Sequence, residues 1–189
     1  VTTVKDGCSP QAACGCCTVE LSGKAVLSCA TPMSLVSGKE VTTTAGIGKP
    51  AQEAFAEAFS RGGGAQCGFC IPGIVMRAWN FLKKHPDPSR DEIARGLNQH
   101  LCRCTGYKKI LDSIQEAAKT LRAGKLPPPS PQTGRIGTRL PKYDIKDAVL
   151  GRRPYVADMS VPGMLHAALR LSDHPRAKVL KIDASAALA

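Results

Sequence analysis

The residues best equipped for chemistry in this chain are its nine cysteines, most of which stand in closely spaced groups. Cys67 and Cys70 lie in Gln66-Cys67-Gly68-Phe69-Cys70, and Cys102 and Cys104 in Leu101-Cys102-Arg103-Cys104-Thr105-Gly106-Tyr107. A Cys-x-x-Cys pair can grip one metal centre from a single turn, and a second pair returned alongside it completes a four-thiolate cage. Such a cage suits a structural zinc ion or an iron-sulfur cluster. The Cys-Arg-Cys step is tighter than the usual zinc knuckle. Pro72 in a first helical turn, and the helical run from Tyr107 to Leu121, put both pairs near helix N-termini. There, free N–H groups and the positive end of the dipole favour an anionic cluster.

A second set precedes the first. In Asp6-Gly7-Cys8-Ser9-Pro10-Gln11-Ala12-Ala13-Cys14-Gly15-Cys16-Cys17 the small residues allow backbone N–H groups to approach a cluster. Cys29 follows a hairpin's length later. Cys8, Cys14, Cys17 and Cys29 then form a set of the plant-ferredoxin kind, in which one loop supplies three ligands and a fourth lies further on. Cys16, beside Cys17, is left as a small buried side chain.

Around these groups the sequence predicts a small sheet and four helices. Val1–Lys5 reads as a short strand, Thr18–Leu21 and Ala25–Leu27 as a hairpin about Ser22-Gly23-Lys24, and Val41–Thr44 as a closing strand. Ala51, Ala54, Phe55, Ala58 and Phe59 share one helical face that ends at Arg61-Gly62-Gly63-Gly64. The next helix runs from Pro72 to about Lys84, with Ile74, Val75, Ala78 and Leu82 inward and Trp79 and Phe81 expected in the core. Ser89-Arg90-Asp91-Glu92 is a capping box that starts a third helix through Ile93 and Leu97. The fourth carries Tyr107, Ile110, Leu111, Ile114, Ala117, Ala118 and Leu121 as a stripe and stops at Gly124. Beyond the Pro-rich stretch after Leu126, Met164–Leu171 and Ala177–Ile182 alternate like strands, and Asp183-Ala184-Ser185 can open a helix.

Composition limits the function classes. The chain has 189 residues and a formal charge of +11, of which residues 1–118 contribute +3 and residues 119–189 contribute +8. The excess is scattered singly through linker and strand-like sequence with few aromatics. It therefore suits a docked acidic partner surface better than nucleic acid. An odd cysteine count with no signal-peptide pattern argues for metal ligation rather than a secreted disulfide scaffold, and the expected compartment is the cytoplasm, with the periplasm as the alternative. No apolar run reaches the length of a membrane span. His85, His100, His166 and His174 are not spaced as ligands of one metal. Arg103 reads either as a cation that raises the potential of an adjacent cluster or as an ordinary surface charge.

Gln-Cys-Gly-Phe-Cys-x-Pro-Gly at 66–73, Leu-Cys-Arg-Cys-Thr-Gly-Tyr at 101–107 and Cys-Gly-x-Cys-Thr-Val at 14–19 together resemble the iron-sulfur portion of the xanthine oxidase family of molybdenum hydroxylases. The stretches Gly151–Asp158 and Val161–Ala167 resemble the start of that family's molybdenum-binding domain. With a linker where xanthine oxidase carries a flavin domain, the chain is more similar to flavin-free bacterial aldehyde oxidoreductases. Five residues lie between Cys8 and Cys14 where most members have four, and Ala12, Ala13, Cys16 and Ile71 also depart from the usual pattern.

The resemblance implies an α+β chain. Residues 1–48 would form a partial β-grasp 2Fe-2S domain lacking its first hairpin and helix, and residues 49–125 a four-helix 2Fe-2S bundle. A linker would occupy 126–142, and the opening of an α/β molybdenum-binding domain 143–189. It further implies two 2Fe-2S clusters. Cys67, Cys70, Cys102 and Cys104 would hold the one nearer the molybdenum, and Cys8, Cys14, Cys17 and Cys29 the one nearer solvent. Gln66 and Cys104 match positions that touch the pterin of the molybdenum cofactor. The partners implied are a molybdenum-binding large domain or subunit, which holds the substrate site, and a separate flavin subunit or other electron acceptor. A stand-alone 2Fe-2S carrier and a zinc-binding interaction module are the competing readings.

Overall fold

The computed structural model describes every residue except Ser130, Gln132, Arg139 and Ala189. The chain divides into a unit from Val1 to Asp158 and a second from Met159 onward. In the first, strands β1 (Thr18–Leu21), β2 (Lys24–Leu27) and β3 (Val41–Thr42) form an antiparallel sheet ordered β2-β1-β3. Val19 pairs with Val26 across the hairpin, and Glu20 with Thr42 on the other edge.

Four helices pack behind it, α1 (Lys49–Gly62), α2 (Ile71–Leu82), α3 (Arg90–Gly96) and α4 (Lys108–Ala123). Each follows from local sequence. Pro50 and Pro72 occupy first turns, where a missing N–H costs nothing, and Gly63 and Gly124 close α1 and α4 in the left-handed conformation. Ser89 accepts from the Glu92 amide while the Glu92 carboxylate accepts from the Ser89 amide, so the capping box is complete. The expected inward residues of α1 and α2 are buried, and Ile110, Ile114, Ala117 and Ala118 of α4 meet them. Leu111 and Leu121 only flank that stripe.

Trp79 and Phe81 sit at the rim of the core rather than inside it. They project from the sides of α2, where Lys83 Nζ lies 5.5 Å over the indole and His85 stacks on Phe81 at 4.7 Å. The hairpin is fastened to α2 by buried Asn80, which donates to Glu20 Oε2 at 2.8 Å and to the Gly23 carbonyl at 2.8 Å. Lys83 adds an ion pair to Glu20.

Residues 1–5 form turns, not the strand their composition predicts. Lys5 is drawn inward to Asp158, and Thr3 hydrogen-bonds Thr43, so side chains rather than a ladder hold this end. Residues 143–158 pack in the same unit as the helices, because α5 (Ile145–Val149) buries Ile145, Ala148 and Val149 against α1 and α2. Thr44 Oγ1 fixes its exit by donating to Leu150 O at 2.7 Å.

The second unit contains one helical turn, α6 (Ser185–Leu188), at the place expected for a helix start. The strands expected over 164–171 and 177–182 are absent among the described residues. Alternation alone cannot hold a strand, since backbone groups need a paired neighbour, and Leu165, Leu169, Val179, Leu180 and Ile182 remain exposed.

Candidate functional site

The fold gathers the cysteines into two nests, with Cys16 beside Cys14. In one, the loop before α2 carries Cys67 and Cys70, and the loop before α4 carries Cys102 and Cys104. Cys67 Sγ and Cys104 Sγ lie 3.5 Å apart at the surface, while Cys70 and Cys102 are buried and face each other. In the other, the thiol of Cys8 meets that of Cys14, and Cys17 meets Cys29. The thiols thus fall in twos, with Cys16 as a further neighbour of Cys14. Among the described residues no three His, Cys, Asp or Glu side chains close round a single ion. A binuclear cluster takes two cysteines on each iron, so this donor set fits 2Fe-2S.

The loops are shaped for sulfur. Cys102 Sγ is 3.0 Å from the Thr105 hydroxyl and accepts from the Thr105 amide at 3.4 Å. Burial pushes the Cys102 thiol up, but these bonds and others from its loop outweigh it, so its pKa falls below the ordinary thiol value. Burial, with Cys102 beside it, pushes the Cys70 thiol well above the ordinary range. The Ala13 amide, with Cys14, holds Cys8 below it. Tyr107 braces the second loop, accepting from the Cys102 amide at 2.8 Å and donating to the His100 carbonyl at 3.1 Å.

Cys16 is buried between the nests, close to Cys14 and near Cys70, and burial lifts its pKa to about 12. A methyl group added at Gly7 would sit 3.1 Å from Cys16 Sγ and 3.2 Å from Cys14 Sγ, so glycine there leaves the sulfurs their room. Gly73 leaves room for backbone, since a methyl there would lie 2.7 Å from the Cys16 carbonyl oxygen. His100 is buried beside Thr18, 3.1 Å from its hydroxyl, and burial, with Arg77 nearby, lowers its pKa to about 4. Its Nδ1 has no partner among the described residues. His85, His166, His174 and Arg103 are exposed.

Gln66 is exposed beside the Cys67–Cys104 edge. Two contacts at this edge are invisible to spacing. Tyr155 Oη donates to the Cys67 carbonyl at 2.6 Å, and Arg153 Nη1 approaches the same oxygen at 3.5 Å. Both come from the Gly151–Asp158 stretch, whose family likeness flags it as notable without saying where it points.

Comparison with known proteins agrees with this geometry. Residues 43–115 match the 2Fe-2S binding domain family. The chain is 38% identical to the aldehyde oxidoreductase of Megalodesulfovibrio gigas along its whole length, though it spans only 22% of that protein. It is 37% identical to the nicotine 6-hydroxylase small subunit of Paenarthrobacter nicotinovorans, over 62% of this chain and 70% of the subunit. Among solved structures, the aldehyde oxidoreductase of Desulfovibrio gigas superposes with a TM-score of 0.74 at 37% identity, over 83% of this chain and 18% of that one. With cysteine nests, domain match and whole-subunit likeness in agreement, the chain belongs to the xanthine oxidase family of molybdenum hydroxylases, of which it is an iron-sulfur part.

Proposed function

We propose that this chain is the electron relay of a molybdenum hydroxylase, with one 2Fe-2S cluster on Cys67, Cys70, Cys102 and Cys104 and another on Cys8, Cys14, Cys17 and Cys29. The observation that carries the reading is the gathering of the thiols into two nests, each containing two close pairs, with Cys67 against Cys104 and Cys70 against Cys102 in one and Cys8 against Cys14 and Cys17 against Cys29 in the other. A bound 2Fe-2S cluster takes up and releases one electron at a time. The chain's own residues hold it, exclude water from its inner side and set its charge environment.

Exposure supports one direction of flow. The Cys67–Cys104 edge and Gln66 open outward, where the pterin of a molybdenum-binding domain or subunit would dock, and the Cys70–Cys102 edge turns inward to Cys16 and the first nest. The nest of Cys8, Cys14, Cys17 and Cys29 would pass electrons to an external acceptor. The whole enzyme would hydroxylate an aldehyde or an N-heterocycle with oxygen from water, a substrate class spanned by relatives named for aldehyde and for nicotine.

The test is metal and sulfide analysis of the full-length protein, with a visible spectrum before and after reduction. About four iron and four labile sulfide per chain are expected, with absorbance that bleaches on reduction. A colourless protein carrying zinc would overturn the reading. Cys102→Ser should delete one of two paramagnetic signals and spare the other, and Cys16→Ser should spare both.

A further inference from the structure

The segment after α5 reaches the outer edge of the nest formed by Cys67, Cys70, Cys102 and Cys104. Tyr155 crosses 88 positions of sequence to donate its hydroxyl to the Cys67 carbonyl at 2.6 Å. Its ring packs edge-on to Phe69, inside the Cys67–Cys70 loop, at 5.1 Å between centroids. The loop is shaped to receive it. Gly68 has φ +83°, and a methyl there would stand 3.0 Å from Tyr155 Oη and 2.8 Å from Ala148 Cβ. The Arg153 guanidinium lies 5.0 Å over the Tyr155 ring and reaches the same Cys67 carbonyl. Lys5 Nζ lies 5.0 Å from the same ring centroid, and Asp158 holds both Lys5 Nζ, at 2.9 Å, and the Tyr155 amide, at 3.0 Å.

We infer that residues 153–158 clamp the Cys67–Cys70 loop, Tyr155 fixing the Cys67 carbonyl and Arg153 placing a positive charge beside the cluster held by Cys67, Cys70, Cys102 and Cys104. The inference rests on the ligand assignment proposed above. An added electron makes an all-thiolate cluster more negative, so a fixed cation within a few ångströms stabilises the reduced form and raises the potential. Asp144 pairs with Arg153 at 3.3 Å but also with Lys142 at 2.9 Å, so one carboxylate is shared by two cations and a positive charge is left over. Arg153, rather than the exposed Arg103, is the guanidinium fastened to the nest's backbone. Both are positioning and charge-setting residues, not ligands.

The experiment is an EPR-monitored redox titration of the full-length holoenzyme, with the two cluster signals assigned by Cys102→Ser. Arg153→Gln should move the midpoint potential of the Cys67 cluster to a more negative value and leave the other cluster where it is. Arg153→Lys should restore most of that shift. Tyr155→Phe should alter the g-values or linewidth of the same signal with iron content unchanged. Potentials and spectra identical to wild type in Arg153→Gln and Tyr155→Phe, or equal shifts in both clusters, would overturn the clamp. If Arg153→Gln loses the cluster, Arg153→Lys decides, and a lysine variant that keeps iron but not the wild-type potential counts against the charge role. Failure of the ligand assignment shows separately, as a wild-type protein without iron or a Cys102→Ser variant that keeps both signals.

Discussion

At the scale of single residues, the site depends on groups that are absent as much as on the sulfurs present. Gly73 stands in the first turn of α2, where alanine is ordinarily better by about 1 kcal/mol. Here the added methyl would press on the backbone of Gly15 and Cys16, which cannot swing aside as a side chain tip does. Overpacking of this kind costs about 1–3 kcal/mol and outweighs the propensity gain. Gly73→Ala should therefore lower stability and displace the Cys14–Cys17 loop, with a fall in visible absorbance per chain. Gly96 is the control, since its added methyl would meet the Phe81 ring at 3.7 Å, an ordinary contact. Gly96→Ala should leave stability unchanged or raise it by up to about 1 kcal/mol, and leave the absorbance per chain at the wild-type value. The cysteines were legible because ligand spacing is local and chemically specific. Gly73, Arg153 and Tyr155 were not legible as site residues, because what they do depends on which distant backbone lies opposite them.

At the scale of elements, what could be read was whatever closes its energetics locally. The four bundle helices announce themselves by apolar stripes with caps, and the Ser89–Glu92 box is satisfied entirely within four residues. Ser89→Ala should cost about 1 kcal/mol in denaturant unfolding, as caps do. The effect should depend on pH. The Ser89 hydroxyl, then its amide, holds Glu92 below the ordinary carboxylate pKa of 4.5. A lowered folded pKa gives stability that is present above 4.5 and lost as pH falls through the lowered value. The gap between wild type and Ser89→Ala should therefore narrow in acid to what the Ser89 hydroxyl contributes by accepting from the Glu92 amide, and a gap that does not narrow would speak against the carboxylate's bond to that hydroxyl. Elements whose support is distant were misread or missed. Val1–Lys5 and the two C-terminal segments have strand composition without a ladder partner, and α5, at five residues, is too short for periodicity and is made by burial on α1 and α2.

At the scale of the whole molecule, one ion pair joins the first residues of the compact unit to its last. Lys5 is buried, with its side chain 2% exposed, and its ammonium meets Asp158 at 2.9 Å beside the Tyr155 ring. This is the closure that holds residues 153–158 on the cysteine loop, so stability and cluster environment are coupled through it. Burying a cation is unfavourable in itself, and removing its partner leaves that cost uncompensated. Asp158→Asn should consequently lower the melting temperature more than the double variant Lys5→Met/Asp158→Asn, in which an apolar stem replaces the unpaired charge. Lys5 holds the Asp158 carboxyl below its ordinary value of 3.8, so the pair's contribution is present above that pH and lost as pH falls through the lowered value. The wild type should then show an acid-side loss that Asp158→Asn lacks. The same titration followed through the Cys67 cluster signal separates the two roles. If the clamp depends on this closure, the EPR line of that cluster should change in Asp158→Asn at neutral pH while the other cluster's line stays fixed. A double variant as unstable as the single one would show that the pair's worth lies in its attraction, not in relieving a buried charge.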